Sequence, residues 1–317
     1  MLHNHKTRGT PGGGLDVMKR RDFLKVTALA GLSISTGNLF DCFTYNVFAS
    51  DFVDIAVAEG PSPSGITNAA INALGGITRF ISRGDTVVVK PNIAWDRRPE
   101  QAATTNPEVV STLIGLCYEA GAGRVKVFDR TCNDARRCYK QSGIADAAAA
   151  AGADVSYIDD RKFKTVKIDG LVLKEWPLYR EILEADKIIN VPIAKTHGLS
   201  KLTLGMKNWM GIMGGWRGRI HQKIDESLVD VSMIIKPTLV VLDAVRILTA
   251  NGPQGGRLED VRMLNTVIAG TDQVAIDTMG AMLFGMEGRD LGYVKIGDRV
   301  GLGTMDLSRL NIKKITL

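Results

Sequence analysis

Several absences narrow the reading of this chain before any motif does. It has four cysteines in 317 residues, none in C-x-x-C spacing. That excludes a disulfide scaffold and the ligand pattern of an iron–sulfur or zinc site held by this chain alone. Charge of one sign is not in large excess: 40 Lys+Arg face 34 Asp+Glu, a net charge of +6. Residues 1–49 hold six of those bases and three of the acids, which leaves 34 against 31 in the remainder. A body so balanced, with 6% aromatics and no basic stripe interleaved with them, does not fit nucleic-acid binding. No apolar run is long enough for a permanent membrane span. G-x-S-x-G, H-E-x-x-H, the Walker loop and the dinucleotide fingerprint are all missing. With 45% hydrophobic and 23% charged residues, the chain is ordinary globular protein, neither disordered nor fibrous.

At the amino end, Lys19-Arg20-Arg21-Asp22-Phe23-Leu24-Lys25 precedes an apolar run, Val26 to Ile34. An Arg pair, Phe-Leu-Lys and a short weakly hydrophobic stretch resemble a twin-arginine export signal. Val47-Phe48-Ala49 supplies a small-x-Ala cleavage site. The expectation is a leader over 1–49 and a mature chain over 50–317, placed in the periplasm or otherwise exported, with the twin-arginine translocase as its partner during export.

In the mature body strand-like and helix-like segments alternate. Strands are expected at Asp54–Ala58, Asp85–Lys90, Arg124–Phe128, Asp154–Ile158, Lys187–Val191, Thr238–Leu242 and Leu264–Ala269. Helices are expected at Ile66–Leu74, from the Asn106-Pro107-Glu108 start to Ala120, and at Ile144–Ala151, Leu202–Met210, Leu228–Ile235 and Val274–Leu283. Thr165–Leu173 reads as a hairpin turned at Asp169-Gly170. Such alternation predicts an α/β domain over 50–317 with a mainly parallel sheet and helices on both faces, Rossmann-like, in one lobe or in two at about 50–190 and 191–317.

Polar residues gather at the carboxyl ends of these strands: Lys90 and Asn92, Asp129, Asn190 with Lys195 to His197, Asp243, and Asp272. In open parallel sheets that edge is where ligands bind. A strand-ending Asp is also commonly a helix N-cap or turn former, so the argument rests on five strands sharing the pattern. Of four histidines, His3 and His5 fall in the leader. His197 and His221 flank Lys207-Asn208 and the glycine-rich stretch Gly211–Gly218, and could ligate a metal, act as acid and base, or bind an anion. Lys90, Lys195, Lys207, Arg217 and Arg219 suit an anionic ligand. Cys132 and Cys138, six apart, could form a disulfide after export.

The segments VVVKPNIAW, TTNPEVV, NVPIAKTH, LTLGMKNWMGIMGG, LDAV, NGPQGG and AGTDQVAID, with His221, follow one another over about 55–310. They resemble the family called domain of unknown function 362. The resemblance implies Lys90, Asn92, Lys195, His197, Lys207, Asn208, His221 and Asp243 as signature positions, without a chemical role for each. Members often carry a ferredoxin-type module; this chain has none, so electron transfer would need an iron–sulfur or other redox partner. A more distant similarity is to nickel-pincer lactate racemase-like proteins, but two histidines in the mature body are few for both ligation and an acid–base pair.

The reading that follows is an exported enzyme of redox or isomerase type, acting on a small carboxylate or phosphate compound. His197, His221 and Lys195 are the candidates for catalysis; Lys90, Asn92, Lys207, Asn208 and Arg217 would bind the ligand or cofactor; His197, His221, Asp243 and Asp272 could hold a divalent metal ion. The competing readings are a non-catalytic periplasmic ligand-binding protein or a maturation factor for a redox enzyme, and a nickel-pincer racemase-like isomerase.

Overall fold

The computed structural model describes residues 52–317; the expected export signal and cleavage site lie outside the described residues. Among the described residues twelve strands occur: β1 (Ile55–Glu59), β2 (Thr86–Pro91), β3 (Arg124–Val127), β4 (Asp154–Val155), β5 (Phe163–Lys167), β6 (Glu175–Tyr179), β7 (Lys187–Val191), β8 (Ile193–His197), β9 (Lys201–Thr203), β10 (Leu239–Leu248), β11 (Val261–Gly270) and β12 (Ile312–Thr316). The main sheet runs β12-β1-β11-β10-β7-β2-β3-β4, with β8 pairing β10 and β9 beside it, while β5 and β6 form a separate hairpin. All pairs from β10 through β4 are parallel, as are β10 with β8 and β1 with β12. Along the β12-to-β4 order β11 alone runs antiparallel, to β1 on one side and β10 on the other, and beside it β9 runs antiparallel to β8. The α/β fold with a mainly parallel sheet is thus present. Strand β1 lies between β12 and β11, and β7 between β10 and β2, so strands from both halves build one sheet.

Alternation across the strands explains the two covered faces. Val87, Val89, Val125, Val127, Ile189, Val191, Val241 and Val267 share one core with Ile66, Ile71, Val110, Leu113 and Ile114 of the helices Pro63–Ala73 and Pro107–Glu119. Their neighbours Asn190, Val240 and Leu242 are equally buried and face the helices Gly205–Asn208 and Gln273–Met282. There Asn190 Nδ2 donates to the Gly205 carbonyl at 2.8 Å. A Cβ on Gly280 would lie 3.0 Å from Leu242 Cδ2, so glycine lets that helix sit close on the sheet. Burial of each large aliphatic side chain contributes roughly 1.5–3 kcal/mol.

Several expected elements differ in detail. Asp154–Ile158 shortens to the two residues of β4, and the hairpin is β5–β6, with its turn region over 168–174. Leu202–Met210, expected as one helix, is strand β9 followed by the short helix Gly205–Asn208 and a 3-10 turn at Trp209–Ile212. The change occurs because Lys195, Thr196 and His197 pair with Thr203, Leu202 and Lys201, a long-range partner that local apolar spacing does not reveal. The helix Gly292–Arg299 and strand β12 were not expected.

The turn of the hairpin is held to the body by one carboxylate. Asp230, buried on the helix Ile224–Ile234, accepts from the backbone N–H groups of Leu171 (2.6 Å), Val172 (2.9 Å) and Leu173 (2.8 Å). Hydrogen bonds to a charged acceptor are the stronger class. Asp230→Ala should therefore lower stability by about 3 kcal/mol. Urea titration checks the total, and hydrogen exchange at 171–173 should quicken before exchange in the main sheet; unchanged protection there would contradict the clamp.

Candidate active site

The carboxyl ends of β2, β3 and β8 converge on a cavity of about 460 Å3. Its lining includes Lys90 and Asn92 after β2, Asp129, Arg130 and Cys132 after β3, and Lys195 and His197 on β8. Lys207, Asn208, Met210, Gly211, Arg217 and His221 close it from the segment that follows β9.

Lys90 is 0% exposed, and a charge so buried needs partners. Its Nζ lies 2.8 Å from Asp129 Oδ1 and donates to Asn208 Oδ1 (3.0 Å) and the Pro91 carbonyl (2.9 Å). Burial pulls its pKa below the ordinary lysine value, and the Asp129 carboxylate pulls it back up. Asp129 Oδ2 meanwhile accepts from the Ile93 N–H at 2.6 Å. Gly211 covers this pair: a Cβ there would stand 1.6 Å from Asp129 Oδ1 and 2.5 Å from Lys90 Nζ, so only glycine fits.

A chain of amides extends from the pair. Asn208 Oδ1 accepts from Asn92 Nδ2 at 3.1 Å, and Asn208 Nδ2 donates to Asn190 Oδ1 at 2.8 Å and to the Lys90 carbonyl at 3.2 Å. Asn92 Oδ1 accepts from Lys195 Nζ at 3.2 Å, which fixes the orientation of each amide by its partners. Lys195, 1% exposed, also donates to the Ala103 carbonyl. Burial, with Lys207 adding to it, lowers its pKa to about 7. Lys207 is lowered to about 8, chiefly by burial and then by Arg217 and Lys90, against an opposing contribution from Cys132. Its helical turn starts on Asp277, which accepts from Gly205 N (2.6 Å) and Met206 N (2.9 Å).

Two arginines clamp the glycine-rich segment onto the end of β3. Arg130 donates to the Met213 (2.8 Å) and Gly215 (3.1 Å) carbonyls, and Arg217 donates to the carbonyls of Arg130 (2.9 Å) and Thr131 (2.8 Å). Arg219 does not line this cavity. The rings of His197 and His221 lie parallel, 6.2 Å between centroids and 12° between planes. His197 Nδ1 accepts from Leu199 N (3.1 Å) and Ser200 N (3.3 Å), so the proton of the neutral ring is on Nε2. Burial, with Lys207, His221 and Lys195 acting in the same direction, lowers His197 to about 3. Burial and then Lys207 also lower His221, while a hydrogen bond to the Arg217 backbone opposes them.

The cavity gathers Lys90, Asn92, Lys195, His197, Lys207, Asn208, Arg217 and His221. It does not gather the two acids expected as metal ligands. Asp272 follows β11, the reversed strand, and so falls at the opposite edge of the sheet, where it caps the helix Gln273–Met282 through Val274 N and Ala275 N. Asp243 sits within β10 rather than at its end; it accepts from Asn106 N (2.7 Å) and Val245 N (3.0 Å). Both carboxylates hold backbone. For His197 to bind a metal through Nε2, its proton would have to move to Nδ1 and break two backbone hydrogen bonds. Among the described residues no group of three or more His, Cys, Asp or Glu could hold a metal ion, and the donor set at the cavity does not fit a divalent cation. Cys132 and Cys138 are free thiols, and Cys132 lines the cavity instead of pairing. Trp95 and Arg130 line it too; Arg130 is signalled only by its place directly after Asp129.

A family model described as domain of unknown function (DUF362) matches residues 87–282. A thylakoid-associated protein of Synechocystis sp. is 27% identical over 240 residues, covering 73% of each chain. Among solved structures, the apoprotein of lactate racemase from Thermoanaerobacterium thermosaccharolyticum aligns with a TM-score of 0.47 at 9% identity, over 72% of this chain and 56% of that one. A Thermotoga maritima protein aligns with a TM-score of 0.43 at 12% identity, over 70% of this chain and 59% of that one. The chain thus spans less than two thirds of either solved chain.

The ion pair can be tested directly. Asp129→Asn leaves Lys90 without its carboxylate and should cost about 3–5 kcal/mol. Joining Lys90→Met to Asp129→Leu should recover part of that, with the Ile93 N–H still lacking its acceptor. Urea midpoints of the two variants and the parent decide; equal midpoints for parent and Asp129→Asn would show the pair to be energetically idle.

Proposed function

The chain belongs to the domain of unknown function 362 family, and from that premise and the chemistry of its cavity we propose that it is an enzyme that binds a small carboxylate or phosphate compound and moves a proton on it. One observation carries the reading. Lys90, Arg130, Lys195, Lys207 and Arg217 line the cavity with a single carboxylate, Asp129, and that carboxylate is already committed to Lys90 and the Ile93 N–H. The remaining cations lack a counterion within the lining, and an anionic ligand would supply one. A cavity of about 460 Å3 suits a small molecule.

The roles divide by protonation. Lys195 and Arg217 neutralise the anion. His197, held neutral, presents its Nε2–H as a donor to an oxygen on which charge develops. His221 accepts and returns the proton. Export through the twin-arginine route belongs to the same proposal and rests on Arg20-Arg21 and the apolar run after them. Arg20→Lys with Arg21→Lys should keep the protein in the cytoplasmic fraction, and equal export of that variant would refute it.

Anion binding has a defined pH dependence. Lys195 titrates at about 7 when folded against 10.5 ordinarily, so the folded state holds this proton less tightly than the unfolded chain. The free protein therefore gains stability from this group as pH rises from about 7 toward 10.5. A bound anion favours the protonated lysine, so stabilisation by phosphate or malonate should be largest below about pH 7 and fade above it. Thermal unfolding with and without these anions at about pH 6 and about pH 9 measures this. A response that ignores pH, or persists unchanged in Lys195→Met, would sink the anion site.

For the proton transfer, the methyl hydrogens of pyruvate should exchange in deuterium oxide with the parent protein. His221→Gln should lose that exchange and keep the thermal response. Exchange retained in His221→Gln would remove His221 as the base, and a thermal response with no exchange in the parent would leave a binding protein rather than an enzyme.

A further inference from the structure

Hydrogen bonding separates the three buried lysines of the cavity. Lys90 Nζ has a carboxylate, an amide oxygen and a carbonyl; Lys195 Nζ has an amide oxygen and a carbonyl. The partner of Lys207 Nζ is the thioether sulfur of Met210, at 3.0 Å, a weak acceptor. Lys207 is 8% exposed, so its ammonium form, with three donors and no oxygen acceptor, is poorly compensated by this chain. Its neutral form, with a free lone pair, loses far less there.

Backbone holds it in place. Lys207 lies on the turn Gly205–Asn208 anchored by Asp277, and Met210 lies on the turn that follows. Arg217 and Lys90 act on Lys207, and Lys207 in turn acts on Lys195, His197 and His221. It therefore stands among the cationic and imidazole groups of the site. A desolvated amine beside other cations is the environment in which lysine becomes a nucleophile.

We propose that Lys207 forms an imine with the carbonyl carbon of a 2-oxo acid whose carboxylate is held by Lys195 and Arg217. This rests on the anion-site reading above and names the substrate class of that site. The Nζ lone pair bonds the carbonyl carbon, and both amine hydrogens leave with the carbonyl oxygen as water. Protonation of the imine nitrogen gives an iminium, which draws electrons from the neighbouring C–H bond and eases removal of that proton by His221. No oxidant or reductant is consumed.

Hydride trapping tests it. The full chain is incubated with pyruvate and sodium cyanoborohydride, which reduces an imine to a stable secondary amine, and the adduct is located by intact mass and peptide mapping. One adduct per chain, on Lys207, is expected, with none from malonate. Its formation should rise with pH through about 8 rather than near the ordinary 10.5. Lys207→Arg, which keeps the charge, and Lys207→Met should both lose the adduct, and the Arg variant should keep a thermal response to phosphate, with circular dichroism confirming the fold. Mapping on the parent protein locates the adduct even where a variant does not fold. Adducts spread over surface lysines, or persisting in Lys207→Arg, would overturn the proposal. A thermal response to pyruvate and phosphate with no adduct would overturn the imine and leave the anion site standing. Neither response nor adduct would overturn both.

Discussion

The rest of the site depends on one ion pair, Lys90 with Asp129, buried where two adjacent parallel strands end. A lysine that is fully enclosed at the end of β2 is tolerable only because β3 delivers a carboxylate 2.8 Å away. The pair then dictates its surroundings. Asn208 must present an oxygen to Lys90, which turns its amide nitrogen toward Asn190. Asn92 must present its nitrogen to the same oxygen, which leaves its own oxygen for Lys195. Gly211 must lack a Cβ for the covering segment to approach. Using the cavity's carboxylate internally is also what leaves the other cations in charge excess, the feature on which the proposed anion site rests.

Strand direction decides which residues share that edge. β2, β3, β7, β8 and β10 run one way, and β11 runs the other. Lys90, Asn92, Asp129 and Lys195 were legible in the sequence because each follows or ends an apolar run that ends on the ligand side. Asp272 follows an equally apolar run, yet its strand is reversed, and nothing within those ten residues records orientation. Asp243 failed for a different reason. The strand continues to Leu248, and the carboxylate in its middle is satisfied by the Asn106 N–H at the start of the next-layer helix. Only the tertiary contact tells a buried backbone anchor from a ligand.

Histidine illustrates how far residue type carries. The scarcity of histidine drew His197 and His221 together correctly, and their rings stack across the cavity. Residue type did not disclose that two backbone N–H groups, at Leu199 and Ser200, occupy His197 Nδ1. Those bonds turn a nominal base or metal ligand into a neutral donor, and the nearby lysines keep it so. The covering segment was similar: its glycines suggested a loop over a ligand, but the two arginines that fasten it act through backbone carbonyls that carry no sequence signature.

Desolvation links stability to recognition in this cavity. Lowering Lys195 from 10.5 to about 7 corresponds to about 5 kcal/mol against its charged form in the free protein. A ligand anion that enters without bringing water restores much of that, because charges in a dry site interact more strongly than in solvent. An anion that keeps its hydration shell would fill the same volume and relieve little. Near neutral pH, where Lys195 is only partly protonated, a favourable ligand must bring a proton with it or leave the lysine neutral. On the proposed reading the cavity would favour small anions that shed water readily, and binding that charges Lys195 would be accompanied by proton uptake.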